Sequence, residues 1–422
     1  GVWRETGLAT AFGPEGPPVR WRIPVHQGYA GPAVVGDALY VMDFIKDPVV
    51  PESTKPNPGS GDRPKFPPIL GVERVLCIDP ATGKERWRHE AKRDYRISYP
   101  EGPRTTPNVD GDLVFALGAM GDLICFDRHT GRVVWEKNLP TTYNTEPPVW
   151  GYAAHPLLDG EHLICSAGGK GSAIVALEKQ TGREVWRSIT AKEIGYAPPV
   201  IIERGGKRQL IYWYDAAVAG LDPSTGKRVW DVKFPLVPSG QVSVTIAQPA
   251  FADPYLLISE FYAGSMLLKL ADDLSDAEPV WNSEPGETEH PDGLNALMTP
   301  PFIREGHIFG ISGDGEFRCL ELLTGKLVWR DEKLTDKKPR EYFGTAFWVR
   351  NGDRYFVFND QGYLQIASIT PEGCQELSST KLLETTGAAR GRTYVWSPPA
   401  FAQGCMFARN DKELICVDLR KS

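Results

Sequence analysis

The sequence predicts an all-β protein built as one eight-bladed β-propeller of four-stranded antiparallel blades. Three observations favour this fold. A phrase ending in tryptophan recurs every 44 to 51 residues, turn-forming residues separate short apolar runs, and a spare strand stands near the start of the chain. No apolar pattern of 3.6-residue period extends over a useful length, which disfavours a helical repeat.

The recurring phrase is clearest in Cys77-Ile-Asp-Pro-Ala-Thr-Gly-Lys-Glu-Arg-Trp87. In each copy the glycine supplies a positive φ where the chain reverses, and the preceding aspartate can accept hydrogen bonds from the loop amides. We therefore interpret the repeated carboxylates as turn caps and not as catalytic groups; they are Asp79, Asp127, Asp222 and Asp418. One late copy lacks tryptophan, and its spacing after Gly373 predicts that Leu377 takes that place.

Counting strands gives the number of blades and the way the ring closes. Eight strand triplets begin near Pro32, Pro107, Pro156, Pro198, Pro249, Pro300, Gly344 and Pro398. Seven of them are followed by a fourth strand, whereas the triplet from Phe401 to Asp418 ends the chain. We expect residues 19–25 to complete this last blade, because closure removes the open sheet edge. Residues 1–422 then form one domain, with a Pro-rich insertion at 44–70 in the first blade.

Composition excludes several classes of protein. The formal net charge is −7, so there is no basic surplus to attract a phosphate backbone, and we expect no nucleic-acid partner. No apolar run approaches the roughly 20 residues that cross a bilayer, so we expect no transmembrane segment. Hydrophobic residues make up 41% of the chain, which is too many for a disordered protein.

The seven cysteines are an odd number, so at least one thiol is free. They form no C-x-x-C pair, which argues against a zinc knuckle and a redox dithiol. Cys405 and Cys416 are predicted to oppose each other across a hairpin, within reach of a disulfide. The sequence leaves open whether this pair is bridged or stays reduced.

The A-x-D-x-x-T-G-x-x-x-W phrase, with cysteine or alanine at its first position, resembles the tryptophan-docking repeat of quinoprotein (PQQ-type) eight-bladed propellers. Two groups share this repeat: PQQ-dependent dehydrogenases and the non-catalytic BamB-like propellers, which include a lipoprotein subunit of the outer-membrane β-barrel assembly machine. The chain's length is similar to the second group, and it lacks the adjacent Cys-Cys pair that the resemblance to the enzymes implies.

Two sets of residues are candidates for a role. The first set is structural and docks one blade on the next: Trp21, Trp87, Trp135, Trp186, Trp230, Trp281 and Trp329. The second set precedes the inner strands and so surrounds the funnel mouth, where ligands of propellers bind: Tyr29, Arg104, Trp150, Tyr152, His155, Tyr196, Tyr342 and Trp396. Ordinary loop aromatics covering the core edge remain an alternative for the second set. No catalytic residue and no metal ligand is predicted.

We therefore expect a non-catalytic, exported scaffold that binds an envelope protein or a small ligand through its funnel face and long loops. We expect a monomer that is periplasmic or secreted, with its signal peptide removed. No cofactor is expected. The first alternative is a quinoprotein dehydrogenase that uses PQQ and Ca²⁺, and the second is a small-molecule or glycan-binding propeller.

Overall fold

The computed structural model describes residues 1–48, 66–215, 217–234, 243–283, 293–335, 343–389 and 391–421. Within these ranges the chain forms eight four-stranded sheets and one two-stranded hairpin. Seven of the large sheets are runs of four consecutive strands, and the eighth combines the N-terminal strand with three C-terminal strands. The predicted eight-bladed propeller with four-stranded antiparallel blades is confirmed.

The N-terminal strand β1 (Val19–Pro24) precedes the first four blades. Blade one contains β2 (Ala33–Val35), β3 (Ala38–Lys46), β4 (Ile69–Ile78) and β5 (Glu85–Tyr95). Blade two contains β6 (Asn108–Asp110), β7 (Leu113–Leu117), β8 (Asp122–Asp127) and β9 (Val133–Asn138), and the short helix α1 (Leu139–Tyr143) follows. Blade three contains β10 (Leu157–Asp159), β11 (His162–Ser166), β12 (Ile174–Glu178) and β13 (Glu184–Ser188). Blade four contains β14 (Val200–Arg204), β15 (Lys207–Tyr214), β16 (Ala217–Leu221) and β17 (Arg228–Lys233).

The second half repeats this plan. Blade five contains β18 (Ala250–Ala252), β19 (Tyr255–Glu260), β20 (Gly264–Leu270) and β21 (Ala277–Asn282). Blade six contains β22 (Phe302–Arg304), β23 (His307–Ile311), β24 (Phe317–Glu321) and β25 (Leu327–Asp331). Blade seven contains β26 (Ala346–Asn351), β27 (Arg354–Asn359), β28 (Tyr363–Thr370) and β29 (Gly373–Lys381), and the hairpin β30 (Gly387–Ala389) and β31 (Arg392–Tyr394) follows. Blade eight contains β32 (Ala400–Ala402), β33 (Cys405–Arg409), β34 (Glu413–Asp418) and β1.

The two chain ends meet in blade eight, as predicted. β1 pairs antiparallel with β34, with Trp21 opposite Cys416 and Ile23 opposite Leu414. An ion pair of 3.0 Å between Arg20 and Asp418 adds to this pairing. The ring therefore closes through a sheet made from both ends of the chain.

Alternation of the strands gives the ring two different faces. The inner strands begin, and the second and third strands of each blade connect, on one face, which we call the funnel face. The hairpins between first and second strands and the Thr-Gly turns between third and fourth strands lie on the opposite face, which we call the turn face. The blade-to-blade connections and their aromatic residues therefore belong to the funnel face.

The stretch predicted as an insertion at 44–70 is partly strand. β3 continues to Lys46 and β4 begins at Ile69, because the Phe44 ring stacks on Tyr95 of β5 with centroids 4.1 Å apart and extends the apolar layer of the sheet. Residues 49–65 of the predicted insertion lie outside the described residues.

Indole rings join neighbouring blades. Trp87 donates from Nε1 to the carbonyl oxygen of Arg128 in blade two at 2.8 Å, and its ring lies over Gly131 of the Thr-Gly turn there. The same bond from an indole to a carbonyl of the next blade joins Trp21 to Pro80, Trp135 to Lys179, Trp186 to Pro223, Trp281 to Leu322 and Trp329 to Thr370.

Trp230 reaches the next blade through an intermediate side chain. Its Nε1 donates to Gln209 Oε1 of its own blade at 2.9 Å, and Gln209 Nε2 donates to the carbonyl oxygen of Leu274 in blade five at 2.9 Å. Blade five has no Thr-Gly phrase at this turn, so the Gln209 side chain links the Trp230 indole to the backbone of blade five.

The prediction that Leu377 takes the tryptophan position is wrong. In blade six Trp329 pairs with Cys319 and Val328 is the extra residue of a β-bulge, whereas in blade seven Ser378 pairs with Ile366 and Leu377 is the extra residue. Blade seven therefore presents a serine where the other blades present an indole. The reason is that its turn, at Thr370–Gly373, is shorter than the Thr-Gly turns and shifts the bulge along the strand.

Residues 1–17, which we call the N-terminal segment, cover this blade-seven seam. The Trp3 ring lies 5.5 Å from Phe356 of blade seven and 5.3 Å from Phe401 of blade eight. Phe12 donates its backbone N–H to Ser378 Oγ at 2.9 Å, and its ring packs against the same apolar cluster. Aromatic side chains from outside the blade thus take over the packing that the missing indole would provide.

The predicted register of the cysteines is also wrong. Cys405 pairs with Asp418 and Cys416 pairs with Phe407, so the two cysteines are diagonal neighbours and do not stand directly opposite. Both side chains are buried free thiols. The interaction between them lowers the pKa of Cys405 and raises that of Cys416.

The repeated carboxylates lie in the turns of the turn face. Asp127 Oδ1 accepts from the Thr130 hydroxyl at 2.7 Å and from the backbone N–H groups of His129 and Thr130 at 3.1 and 2.9 Å. The hydroxyl bond first, and the backbone bonds with it, lower the pKa of the Asp127 carboxyl. Asp79 and Asp222 accept equivalent pairs of bonds, and Asp418 accepts one from Arg420.

Candidate binding site on the funnel face

Four residues ahead of blades one, two and eight form an aromatic group on the funnel face. The rings of Tyr394 and Trp396 stack with centroids 3.5 Å apart and planes 11° from parallel. Tyr29 lies 6.3 Å from Trp396, and its hydroxyl is 3.4 Å from that of Tyr394. Tyr99 lies 6.2 Å from Trp396 on another side. Together with Arg104, these four residues are the funnel cluster.

Arg104 places a cation in this aromatic group. Its guanidinium carbon is 5.2 Å from the centre of the Tyr29 ring, a cation–π arrangement. Its Nη2 donates to the carbonyl oxygens of Ser98 at 3.0 Å and Tyr99 at 2.6 Å, and its Nη1 donates to that of Gly102. Burial lowers the pKa of Arg104 from the usual value of an arginine, but the group still carries its charge at neutral pH.

Tyr29 and Tyr394 of the cluster are neutral. Burial, with the neighbouring Tyr394 adding to it, raises the pKa of Tyr29 well above its usual value. Burial also raises the pKa of Tyr394 to about 12. At physiological pH the charge of the cluster is therefore that of Arg104.

Two aromatic residues next to Trp396 have strained backbones. Tyr99 has a φ of 51° and Phe343 a φ of 63°, in the left-handed region that bulky residues rarely occupy. The Phe343 ring lies 6.3 Å from Trp396. Such strain persists only where the surrounding structure imposes it, and it concentrates at binding sites.

Sequence reasoning missed Tyr99. It stands nine residues ahead of β6, outside the short distance before an inner strand that was used to find the other candidates. The Ser-Tyr-Pro sequence carries no signal of a left-handed tyrosine, because the residue before a proline favours extended backbone.

A second aromatic pair lies at the entries of blades three and four. The Trp150 and Tyr196 rings are 5.2 Å apart, and the Trp150 backbone N–H points at the Tyr196 hydroxyl at 3.5 Å. Tyr152 and Tyr196 are each only 2% exposed. The Tyr152 hydroxyl donates to the carbonyl oxygen of Ala167 at 2.7 Å, so this tyrosine supports the loops from within.

His155 is partly buried at the entry of blade three. Desolvation lowers its pKa to about 4, so the imidazole is neutral at physiological pH. A neutral imidazole offers one donor and one acceptor and adds no charge to the face.

The last of the predicted funnel residues, Tyr342, lies outside the described residues. Arg392 forms a buried ion pair of 2.9 Å with Asp360, which neutralises its charge.

The described funnel residues do not fit a calcium–quinone pair. Calcium takes six to eight oxygen ligands, with carboxylates prominent among them. Among the described residues, no group of three His, Cys, Asp or Glu side chains is placed to hold a metal ion. The cluster offers a guanidinium, tyrosine hydroxyls and an indole instead. In the same part of the chain no helix is long and apolar enough to cross a membrane.

Comparison with known proteins identifies relatives along most of the chain. A family model described as outer membrane protein assembly factor BamB matches residues 72–295 and 215–422. The outer membrane protein assembly factor BamB of Burkholderia pseudomallei is 23% identical over 269 residues, which are 63% of this chain and 60% of that protein. The quinohemoprotein alcohol dehydrogenase ADH IIB of Pseudomonas putida is 29% identical over 127 residues, 29% of this chain and 18% of that enzyme.

The match therefore spans about 60% of the length of the Burkholderia relative and less than a fifth of the dehydrogenase. Among solved structures, the crystal structure of BamB from Moraxella catarrhalis superposes with a TM-score of 0.60 at 17% sequence identity, over 96% of this chain and 98% of that one. This superposition shows a shared fold.

Proposed function

Since the chain belongs to the family of the outer membrane protein assembly factor BamB, we propose that it is an exported, non-catalytic scaffold of the bacterial envelope. It binds an envelope protein through its funnel face and the long loops of that face, and it does so as a monomer in the periplasm. The observation that carries this proposal is the aromatic and cationic funnel cluster at the entries of blades one, two and eight.

The chemistry of that face supports protein binding. Tyrosine, tryptophan and arginine are the residues that dominate binding energy at protein interfaces, and they concentrate near the centre of the contact. The funnel cluster contains these three types and no others. The turn face, in contrast, carries tightly hydrogen-bonded turns such as that of Asp127.

Two observations support a non-catalytic role over a quinoprotein dehydrogenase. The sequence has no Cys-Cys dipeptide, and the described funnel residues lack an acidic ligand set for Ca²⁺. The similarity to the dehydrogenase covers 127 residues, which are only 18% of the enzyme's chain.

Site-specific photocrosslinking tests the proposal. A benzophenone amino acid replaces Trp150 on the funnel face in one variant and Leu323 on the turn face in a control, and both are expressed with their export signal and irradiated in cells. Leu323 is 55% exposed, so it is a fair reporter of random encounters. We expect a discrete crosslinked envelope protein from position 150 and none from position 323.

A second measurement addresses the enzymatic alternative. PQQ with Ca²⁺ is titrated into the purified protein while thermal unfolding is followed, because a ligand that binds the native state raises the unfolding temperature. We expect no shift. A clear upward shift accompanied by quinone absorbance on the protein would overturn the scaffold proposal.

A further inference from the structure

We propose that the funnel cluster recognises a carboxylate side chain in an acidic segment of the partner protein, with Arg104 as the anchor. This inference rests on the proposed function and adds the chemistry of the partner. The funnel cluster would bind an aspartate or glutamate whose neighbouring apolar residue lies against Trp396.

Arg104 carries a charge that no carboxylate neutralises within the described part of the chain. Its three hydrogen bonds all go to main-chain carbonyl oxygens. Glu101, the carboxylate that acts on Arg104 electrostatically, is ion-paired with Lys46. A partly desolvated cation without a counter-ion is costly, so the site gains from an anionic ligand.

Arg104 also has hydrogen-bonding capacity to spare. A guanidinium has five N–H donors, and three are used by the carbonyls of Ser98, Tyr99 and Gly102. The remaining donors belong to a plane already fixed by those bonds and by the Tyr29 ring. The open donors are Nε–H and one Nη1–H, which lie on different edges of the guanidinium. Each can therefore give a carboxylate oxygen one charge-assisted hydrogen bond, and bonds of this kind are the strong ones.

Trp396 supplies the second independent observation. Its indole N–H is buried and has no acceptor among the described residues. Its ring is clamped by the stacked Tyr394, and it contacts Tyr29 and Tyr99, the same two residues that touch Arg104. A buried donor without an acceptor is costly, and it lies in the same cluster as the cation that no carboxylate neutralises.

The strained backbone of Tyr99 links the two donors. Its carbonyl oxygen accepts from Arg104, while its ring contacts Trp396. The left-handed φ of 51° lets one residue make both contacts. Strain held in this way keeps the cation and the indole at a fixed separation, which is the arrangement that a pre-organised binding site needs.

A peptide carboxylate is favoured over phosphate and lipid headgroups. The cluster has one cation and four aromatic rings, whereas phosphate sites gather several cations or backbone amides. Aromatic rings around a single arginine match the composition of protein-binding hot spots. Free phosphate and anionic vesicles are therefore alternatives that the experiment has to exclude.

Selection from a random dodecapeptide phage library tests the inference without knowledge of the partner. The wild type, Arg104→Met and Arg354→Met are used as separate targets. Arg354 is the matched control, because its guanidinium also lies over an aromatic ring, Phe356 at 5.6 Å, and donates to a carbonyl, that of Leu8, but on the turn face. We expect peptides selected on wild type and on Arg354→Met to be enriched in Asp and Glu about twofold over those selected on Arg104→Met.

The best acidic peptide is then synthesised with blocked ends, together with its Gln or Asn twin, and both are titrated by fluorescence anisotropy. We expect about a tenfold weaker affinity for the twin on wild type and no difference between the two on Arg104→Met. Arg104→Lys, which keeps the charge but loses the fixed guanidinium plane, should fall between them. Unfolding curves of each variant confirm that it is folded.

Several results would overturn the inference. These are equal acidic content on all three targets, no selected peptide, equal affinity for acid and amide twins, or displacement of the peptide by 10 mM phosphate or by anionic phosphatidylglycerol vesicles. If the photocrosslink at position 150 persists in Arg104→Met, the scaffold proposal stands while this inference fails. If the position-150 variant gives no crosslink while Arg104 is intact, the proposed function itself is contradicted.

Discussion

The glycine of each Thr-Gly turn serves both the turn and the blade interface. Gly131 has a φ of 70°, and a Cβ atom there would lie 2.6 Å from the Trp87 ring of the preceding blade. Gly111, in a turn of the same blade, has a φ of 55° but no atom within 4 Å of its Cβ position. The two glycines therefore share the backbone requirement and differ in the indole contact.

Gly131→Ala should destabilise the protein more than Gly111→Ala. The left-handed backbone alone costs an alanine about 1–2 kcal/mol, and overpacking against the indole adds about 1–3 kcal/mol at position 131. Urea unfolding followed by tryptophan fluorescence measures both variants. Equal losses would show that the glycine is required only by the turn.

His155 should make stability depend on pH. Its folded-state pKa is about 4, and an unfolded histidine titrates near 6.5, so between these values only the unfolded state binds the proton. The free energy of unfolding therefore falls as pH falls through this window. In His155→Gln that part of the decrease should vanish when unfolding at pH 7 is compared with unfolding at pH 4.5.

His129→Gln is the control for this measurement. The His129 imidazole is 66% exposed beside Asp112 on the turn face, so the same substitution there removes an exposed imidazole and leaves His155 in place. If His155→Gln and wild type lose the same stability on acidification, the imidazole is not desolvated as described.

The sequence located Tyr29, Arg104 and Trp396 because their positions follow from the strand count, but it could not show that they form one cluster with Tyr99. Adjacency around a ring depends on loop paths, and the left-handed backbone of Tyr99 has no counterpart in composition or spacing. Burial was equally invisible, since Tyr152 and Trp150 stand in the same kind of loop and differ in what the folded loops cover.

The N-terminal segment replaces a missing interaction at one blade interface. Trp3 is 6% exposed between Phe356 and Phe401, while the adjacent Val2 is 48% exposed. Asn351 Nδ2 donates to the carbonyl oxygens of Trp3 and Glu5 at 2.9 and 2.8 Å. The segment is thus held by blade seven while its indole fills the seam with blade eight.

Trp3→Ala should therefore cost about 3–5 kcal/mol, as expected for a buried tryptophan, whereas Val2→Ala should cost less than about 0.5 kcal/mol. Chemical denaturation measures both. In hydrogen exchange, Trp3→Ala should lower the protection of the blade-seven amides more than that of the blade-three amides. Equal losses in free energy of unfolding would show that the buried Trp3 side chain does not stabilise the seam.

Strands and their order were predictable because the repeat fixes them, whereas register within a strand was not. A slip of one residue exchanges the two faces of a strand, and the spacing of the repeat does not show that the shorter turn of blade seven moves its β-bulge and places Ser378 in the tryptophan position. The same uncertainty misplaced Cys405 against Cys416 by two residues. Repeat counting therefore gives topology, while side-chain contacts need coordinates.

Closure through β1 makes the stability of the ring depend on a sheet that no single stretch of chain can build. Deletion of residues 1–24 removes this strand and exposes the backbone edge of β34, which in the intact protein pairs from Val417 to Glu413. Exposed edges recruit other strands, so we expect the deleted protein to associate and to unfold at lower urea. Deletion of residues 1–9 keeps β1. We expect this deletion to lower the urea midpoint of unfolding without causing association.

Size-exclusion chromatography with light scattering distinguishes these two deletions. A synthetic peptide of residues 17–25 added to the longer deletion should restore the monomer, because it can pair with β34 as β1 does. A peptide with Trp21→Ala loses the indole bond to the carbonyl of Pro80 in blade one and should restore it less well at the same concentration. A longer deletion that stays monomeric with an unchanged urea midpoint would mean that the ring is held by its seven other blades and does not need closure through β1.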